Sequence, residues 1–328
     1  MIGSMTAGVG AMRSFVRGIE VIGNNISNIN TVGYKGARTR FEDTFSNTLQ
    51  RGTGNSGAAL GSNTVTQQIG TGAKIATIKT QFTQGALQTT GGLTDLSVSG
   101  EGFFRVRDTL QGLEYVTRAG DFRVDDQGFL VTNAGFKVQG LGLDDATEAS
   151  GNYNPASVTL DTANLRDIRI AGPETVPDDP ATVGIDESTL PPPRMETFQI
   201  DQGGNINIFL SNGTSFVRGR VLLERFSDPA ALVKEGNNLF SGIDDAGPTE
   251  DWPSTRAAGV ISTAITSGPL AAAQNGNGRV ISGSLEMANI DMTEEFANMI
   301  TTQRAFQAAS KLITTSDEIL QDIVNLKR

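Results

Sequence analysis

The sequence contains no cysteine and no histidine among its 328 residues. Without cysteine, the chain can form neither a disulfide nor a thiolate metal site. Without histidine, it lacks the base of Ser-His-Asp and Cys-His nucleophiles and the ligand of histidine zinc sites. Only carboxylates, lysines, tyrosines and hydroxyls remain for catalysis. Because no set of these groups forms a recognisable site, we predict no catalytic residue, no metal ligand and no cofactor.

Aromatic residues make up only 6% of the chain and charged residues 19%, whereas glycine occurs 39 times. This polar, glycine-rich composition favours many short strands and surfaces that contact other protein. The formal charge of −10 argues against nucleic acid and anionic membranes as partners. The sequence contains no run of 18 apolar residues, so we predict no transmembrane helix. The first residues lack the pattern of a cleaved signal peptide.

Both ends of the chain carry apolar residues at helical spacing. The N-terminal set is Met5, Val9, Met12, Phe15, Val16, Ile19, Ile22, Ile26 and Ile29. The C-terminal set is Met292, Phe296, Met299, Phe306, Leu312, Ile313, Ile319, Leu320 and Ile323. Asp291 followed by Glu294 predicts an N-cap with a capping partner, opening a helix of about 35 residues and about 50 Å. The first predicted helix, over about residues 4–30, contains four glycines and depends more on packing.

An apolar stripe of this length needs a partner, and two interpretations follow. The two helices could form an intramolecular coiled coil, or the paired ends could be an assembly module that packs against copies of the same chain. We predict the assembly module, with both apolar sets at the interface.

The middle of the chain, residues 36–285, has the pattern of β-structure. Residues 122–131 predict a hairpin around the turn Asp125-Asp126-Gln127-Gly128, and similar turns recur. Residues 141–197 contain loop-like acidic and proline-rich stretches, including Asp178-Asp179. Lys35, Arg38 and Arg40 form a small basic cluster that we interpret as a subunit contact or a solvated face.

The predicted fold class is α+β with several domains. It has a mainly β core, an irregular β-sandwich or barrel-like domain with hairpins, plus long N- and C-terminal helices that pair as a coiled coil. The predicted domains are a helical domain of residues 1–35 with 286–328, an extended connector over 36–80, a β-rich core of 81–140 with 198–285, and a small inserted outer domain over 141–197.

Several segments resemble bacterial flagellar rod and hook proteins. Residues 21–35, VIGNNISNINTVGYK, are similar to the N-terminal signature of that family. Later blocks follow in the family's order, among them QFTQGALQTT from Gln81, GEGFF from Gly100, TRAGDF from Thr117, GSLEMANID from Gly283 and EEFANMITTQRAF from Glu294. The signature positions are Asn24, Asn25, Asn28, Gly33, Tyr34, Lys35, Gly85, Gly102, Phe103, Phe104, Gln303 and Arg304.

The resemblance implies an axial structural protein rather than an enzyme. Within the family it is greatest to hook proteins, which self-assemble into a flexible tube that acts as a universal joint and transmits motor torque to the filament. A distal rod subunit of the basal body is the alternative. The implied partners are copies of the chain, the neighbouring distal rod, hook cap and hook–filament junction proteins, and the flagellar type III export apparatus. The implied location is the extracellular flagellum, reached without a cleaved signal peptide.

A rival function comes from another class of protein. The chain could be an extracellular hydrolase on a β scaffold, using carboxylates such as Asp95, Glu101 and Asp121. That hypothesis predicts a deep acidic cleft, whereas the assembly hypothesis predicts tubes.

Overall fold

The computed structural model describes residues 2–52, 65–142, 165–170, 195–211, 213, 215–248 and 278–326. The chain divides into two compact units. The first comprises Met1–Ile29, Lys35–Gln81 and Ile290–Arg328, and the second comprises Asn30–Tyr34 and Phe82–Asn289. Neither of the long helices in the described ranges is apolar enough to cross a membrane.

The first unit contains two long helices and four strands. The helices are α1 (Ile2–Ser27) and α2 (Met292–Leu326). The strands are β1 (Ala37–Asp43), β2 (Ser46–Gln50), β3 (Gln67–Gly70) and β4 (Ala73–Thr80). β1 pairs antiparallel with β4, and β2 pairs antiparallel with β3. The segment predicted as an extended connector therefore contains two paired ribbons.

α1 and α2 pack against each other in antiparallel directions. Gly8 of α1 lies beside Ile313, and Gly18 lies beside Thr302 of α2 and Phe41 of β1. A Cβ at Gly8 would come within 3.0 Å of the Ile313 side chain, so glycine permits the close approach of the two helices. The pairing of the helices is thus present within one chain, while coiled-coil supercoiling stays a prediction.

Asp291 caps the start of α2 as predicted, but Glu294 does not act as its capping partner. The Asp291 carboxylate accepts hydrogen bonds from the backbone N–H groups of Thr293 at 2.8 Å and Glu294 at 3.3 Å, so Asp291 is confirmed as the N-cap. The Glu294 side chain, predicted as its capping partner, accepts a hydrogen bond from Arg38 instead. An arginine 256 residues away in sequence supplies a charged partner that local spacing does not reveal.

The second unit is built from sixteen described strands. In chain order they are β5 (Leu87–Thr89), β6 (Leu96–Ser99), β7 (Phe103–Arg107), β8 (Glu114–Thr117), β9 (Phe122–Val124), β10 (Leu130–Thr132), β11 (Lys137–Leu141), β12 (Arg166–Asp167), β13 (Met195–Ile200), β14 (Asn205–Leu210), β15 (Ser215–Val221), β16 (Leu223–Glu224), β17 (Val233–Gly236), β18 (Leu239–Ser241), β19 (Arg279–Ser282) and β20 (Ser284–Glu286).

Most of these strands form one antiparallel sheet. Its order is β13-β14-β15-β11-β7-β8-β18-β17, with β9, β10, β12 and β16 attached at its sides. Two further strand pairs, β6 with β19 and β5 with β20, lie outside this sheet. The order runs from β13 to β17 without closing, so a mainly β unit with hairpins is confirmed, whereas the barrel-like description is not.

Two apolar clusters fill the second unit, and β7 contributes to both. Phe104 packs in the larger cluster, with its ring centroid 5.2 Å from that of Phe122. Phe103, the preceding residue, packs in the smaller cluster beside Phe226 and Phe240. Successive side chains of a strand point to opposite faces, so one Phe-Phe pair anchors both clusters.

The predicted hairpin over residues 122–131 is confirmed. β9 pairs with β10, and the Asp125 carboxylate accepts from the backbone N–H of Gln127 at 3.1 Å and of Phe129 at 2.7 Å. Asp125 therefore has a turn-forming role. Asp178-Asp179 and most of the predicted inserted domain of residues 141–197 lie outside the described residues.

Candidate assembly surface and the signature residues

The paired helices of the first unit keep many apolar side chains exposed. We call this set the exposed apolar face. It consists of Val9 and Val16 on α1 and of Met292, Phe296, Ile300, Leu312, Ile319, Ile323, Val324 and Leu326 on α2. Among the 35 residues of α2 only Glu295 and Ser316 are buried, and both are polar. α2 therefore buries no whole apolar side chain within the unit, which is unusual for a helix with an apolar stripe.

The structure separates the predicted interface residues into three groups. Ile22 is buried. The half-buried group is Met5, Met12, Phe15, Ile19, Ile26, Ile29, Met299, Phe306, Ile313 and Leu320. The exposed group is Val9, Val16, Met292, Phe296, Leu312, Ile319 and Ile323. The role of these residues in assembly stays a prediction.

Sequence reasoning missed two members of the exposed apolar face, Ile300 and Val324. Ile300 follows Phe296 by four residues, so the two side chains lie on the same side of α2. Phe296 is 45% exposed and Ile300 is 52% exposed. The i, i+4 spacing was the available signal, but a search for seven-residue repeats passes over it.

The signature residue Asn25 connects three elements of the first unit. Its side chain is 2% exposed. Its Nδ2 donates to the carbonyl of Ala37 at 2.8 Å, and its Oδ1 accepts from the N–H of Ala37 at 3.0 Å. Its side chain also hydrogen-bonds the carboxylate of Glu295. One amide thus joins the end of α1 to the start of β1 and the first turn of α2.

Glu295 is the charged residue that faces this contact. Burial raises the pKa of the Glu295 carboxyl above its ordinary value, and the charge of Glu294 acts in the same direction. The hydrogen bond from Asn25 and the charge of Arg38 partly oppose the rise. The start of α2 therefore contains a carboxylate whose ionised form is disfavoured by its surroundings.

The neighbouring signature positions Gly33, Tyr34 and Lys35 are all buried. Gly33 has φ +67, and a Cβ there would lie 2.4 Å from the backbone nitrogen of Ala119, so glycine is required. The ring of Tyr34 lies under the ammonium of Lys234, with Nζ 3.7 Å from the ring centroid, and burial lowers the pKa of Lys234.

The structure corrects the interpretation of the basic cluster. Lys35 is only 1% exposed, so its assignment to a solvated face or subunit contact is wrong. Arg38 is engaged by Glu294 within the same unit. Residue type alone predicts an exposed lysine, and the packing around position 35 overrides that preference.

Gly85 and Phe103 meet at a buried ion pair in the second unit. Glu286 is fully buried, accepts from the N–H of Gly85 at 2.8 Å, and lies 3.2 Å from an Nη of Arg118. The Arg118 guanidinium also lies 5.1 Å from the centroid of the Phe103 ring. Burial lowers the pKa of Arg118, while the charge of Glu286 opposes the shift. Sequence reasoning did not identify this pair, because its members are 168 residues apart.

The remaining signature positions have simpler surroundings. Gly102 has φ +133 and lies against Leu223, and Phe104 belongs to the larger apolar cluster. Asn28 donates to both the backbone and the side chain of Asn24. Gln303 and Arg304 are exposed on α2. They and Asn24 therefore face solvent in the single chain.

The carboxylates of the hydrolase hypothesis do not share one cleft. Asp95 and Asp121 face each other across an antiparallel bridge, while Glu101 is exposed. Burial raises the pKa of Asp121, although a hydrogen bond from Asn133 opposes the rise. A cleft beside Asp121 is otherwise lined by neutral residues such as Thr117 and Asn238. Within the described ranges, no group of three or more acidic residues is placed to hold a metal ion.

Paired terminal helices with an exposed apolar face, together with a separate β unit, are typical of a structural subunit that assembles with other protein. Three family models match the chain. They are "Flagella basal body rod protein" over residues 5–35, "Flagellar hook protein FlgE/F/G D1 domain" over 97–208 and "Flagellar basal body rod FlgEFG protein C-terminal" over 281–326.

Whole proteins match as well. The chain is 34% identical to the flagellar basal-body rod protein FlgG of Bacillus subtilis, with all of both chains covered. It is 31% identical to FlgG of Borreliella burgdorferi, covering 94% of this chain and 93% of the relative. It is 27% identical to the flagellar hook protein FlgE of the same organism, with all of both chains covered. The chain therefore belongs to the flagellar rod and hook protein family.

Proposed function

We propose that this chain is a structural subunit of the axial tube of the bacterial flagellum, that it self-assembles through α1 and α2, and that it has no enzymatic activity. The main observation that supports this proposal is the exposed apolar face. Ten apolar side chains remain open to water on the paired helices of one chain. A surface of this kind is stabilised when further copies cover it.

The free energy gained by burying the exposed apolar face is large enough to drive association. Full burial of one large apolar side chain contributes about 1.5–3 kcal/mol relative to leaving it exposed. Covering ten partly exposed side chains therefore contributes on the order of 10 kcal/mol before the cost of association is subtracted. In a tube each chain meets several neighbours, so this contribution accumulates along the polymer.

Two locations in the axial structure are open to a family member, and the rod is better supported. The B. subtilis rod protein is covered in full by an alignment of 328 residues. The Borreliella hook protein needs an alignment of 463 residues, so it matches only with long gaps. The rod protein of Borreliella burgdorferi is 31% identical to this chain, whereas the hook protein of the same organism is 27% identical. We therefore favour a rod subunit, with the hook as the second candidate.

The proposal extends to the arrangement and partners of the subunit. The terminal helices would form the inner wall of the tube, the β unit would lie outside them, and residues 141–197 would lie outermost. Its partners would be copies of itself, neighbouring rod, hook cap and hook–filament junction proteins, and the type III export apparatus. An exported chain without cysteine meets no disulfide trap in transit, which supports this route.

Charge placed on the exposed apolar face should prevent assembly. In Phe296→Glu/Ile300→Glu both side chains are exposed in the single chain, so the unit should still fold while polymers fail to form. The control is Gln307→Glu, which adds one negative charge to the same helix at an exposed polar position. Sedimentation and negative-stain electron microscopy of concentrated protein measure the outcome. Normal polymers from the double variant would exclude Phe296 and Ile300 from the interface.

A separate measurement distinguishes the two candidate locations. Gold labelling of a tagged chain on isolated basal bodies should place it on the straight rod. Labelling of the curved segment beyond the rod would instead assign the chain to the hook.

A further inference from the structure

The exposed apolar side chains of α2 include two pairs that lie on different sides of the helix. We call Phe296 and Ile300 the N-terminal patch, and Ile319 and Ile323 the C-terminal patch; each side chain is 45% to 52% exposed. Corresponding members of the two patches are 23 positions apart. In an α-helix this spacing separates them by about 140° around the axis and about 35 Å along it. One neighbouring helix therefore cannot cover both patches.

The helix α1 occupies a third side of α2. Glu295, which contacts Asn25, and Ile313, which lies beside Gly8, are 18 positions apart and so project from the same side of α2. That side lies about 100° or more around the axis from the centre of either patch. The packing of α1 against α2 within one chain therefore leaves both patches open to other molecules.

The two patches lie at opposite ends of the helix pair. The N-terminal patch is close to Glu295, where α2 begins beside the last turn of α1. Because the helices are antiparallel and Gly8 lies beside Ile313, Ile2 is level with about position 319 of α2. Ile323 therefore lies beyond the described part of α1. A second copy placed end to end with the first would bring its N-terminal patch towards this extension.

The charges beside the two patches have opposite signs. Arg304 follows Ile300 by four residues and is exposed. Glu318 and Asp322 directly precede the two members of the C-terminal patch, and both are exposed. Within the described ranges, none of these three charged side chains forms an ion pair. A C-terminal patch that met its own copy would gather four carboxylates, whereas an N-terminal patch brings an arginine to them.

The positions of these charges also define a direction. Arg304 lies about 60° to one side of the centre of the N-terminal patch, viewed down α2. Glu318 and Asp322 lie about 100° to the other side of the centre of the C-terminal patch. When two copies of α2 run parallel with these patches in contact, all three charges lie on one flank of the contact. An antiparallel contact would place the arginine and the carboxylates on opposite flanks.

We propose that the C-terminal patch of one copy of this chain binds the N-terminal patch of the next copy, with the two α2 helices parallel. This pairing rests on the proposed function as a self-assembling axial subunit and specifies which surfaces meet. Both patches have their two side chains four residues apart, so the side chains can meet in register. A contact between two different surfaces leaves one patch of each kind free at the ends, so it builds an open polymer with a direction.

Two complementary variants of the full chain test this pairing. Phe296→Glu/Ile300→Glu blocks the N-terminal patch, and Ile319→Glu/Ile323→Glu blocks the C-terminal patch. Each variant alone should stay monomeric, because its copies lack one of the two surfaces that must meet. An equimolar mixture should form a 1:1 complex that grows no further, because each variant keeps the patch that the other needs. Sedimentation velocity, at a concentration where the unmodified chain polymerises, measures all three samples.

The outcomes separate this pairing from the proposed function. A dimer of either variant alone, or a mixture that stays monomeric, would overturn the pairing while the unmodified chain still polymerises. Absence of polymers from the unmodified chain would instead refute the proposed function itself. The matched control is Gln321→Glu/Asn325→Glu, which adds two charges at the same spacing on the opposite, exposed polar side of this end of α2. It should polymerise normally, and its failure to do so would also overturn the pairing.

A charge exchange in the 1:1 complex tests the parallel direction. Arg304→Glu, added to the variant that keeps the N-terminal patch, should weaken the complex about fivefold, as for an exposed ion pair. Asp322→Arg, added to the partner variant, should restore the affinity because the two charges are then exchanged. Loss of affinity that Asp322→Arg does not reverse, or no effect of Arg304→Glu, would refute the parallel pairing.

Discussion

At the residue scale, Asn25 shows how one side chain can specify a junction between elements. It donates and accepts hydrogen bonds at Ala37 and also contacts Glu295, so it uses most of its hydrogen-bonding capacity while buried. An apolar residue there would leave backbone groups of Ala37 unpaired, at a cost of about 1–3 kcal/mol each. The same contact places a carboxylate where its charge is unfavourable.

That carboxylate gives the first unit a pH dependence of known sign. Because burial raises the pKa of Glu295 in the folded state, the folded chain binds a proton here more readily than the unfolded chain. Its stabilising contribution is therefore full below the unfolded pKa, near 4.5, and is lost as pH rises through the raised folded value. Glu295→Gln should match the unmodified chain in acid and exceed it at neutral pH by no more than about 1 kcal/mol.

Chemical denaturation followed by circular dichroism across this pH range measures the difference. Glu294→Gln is the matched control, because it removes an exposed carboxylate that pairs with Arg38 and should cost less than about 1 kcal/mol. A Glu295→Gln variant less stable than the unmodified chain at neutral pH would show that the carboxylate is favourable where it lies.

At the scale of elements, sequence patterns predicted α2 best and the long-range contacts least. The apolar repeat and Asp291 located α2 because helix periodicity and capping are local. The hairpin at Asp125 was predictable for the same reason. The pairing of the ribbons within residues 36–80 was not predictable, since β1 and β4 pair across 30 to 43 residues, as in Asp43 with Ala73 and Ala37 with Thr80. The partners of Glu294 and Arg118 come from distant segments, which residue type does not encode. The burial of Lys35 likewise depends on packing rather than on residue type.

The five glycines of α1 differ in what surrounds them, and this difference is testable. Nothing lies within 4 Å of a Cβ built at Gly23, whereas one at Gly8 meets Ile313 at 3.0 Å. Gly23→Ala should therefore raise the free energy of unfolding of the first unit by up to about 1 kcal/mol through helix propensity. Gly8→Ala should gain less or lower it, because α2 must move away.

Guanidinium denaturation monitored at a helix-sensitive wavelength compares these two variants. Each carries the same substitution in the same helix, so propensity alone predicts equal shifts. Equal stabilisation by both variants would show that Gly8 is not needed for the packing of α1 against α2.

At the scale of the whole molecule, the two units bury apolar residues very differently. The second unit has two apolar clusters with fully buried members such as Phe104 and Val116. In the first unit, the apolar residue Ile22 is buried. The two buried residues of α2, Glu295 and Ser316, are both polar. Local stability follows buried apolar contact, so the second unit should be the stable part of the free chain.

Hydrogen exchange of the monomer and of assembled tubes tests this division. In dilute monomer, amides of α1 and α2 should exchange much faster than those of β7 and β11, because opening the helices exposes little buried apolar surface. Assembly should then slow exchange in both helices by orders of magnitude, since neighbouring copies cover the exposed apolar face, while β7 and β11 change little. The Phe296→Glu/Ile300→Glu variant should keep the monomer pattern at every concentration. Strong protection of α2 in the dilute monomer would mean that one chain already stabilises its terminal helices without help from its neighbours.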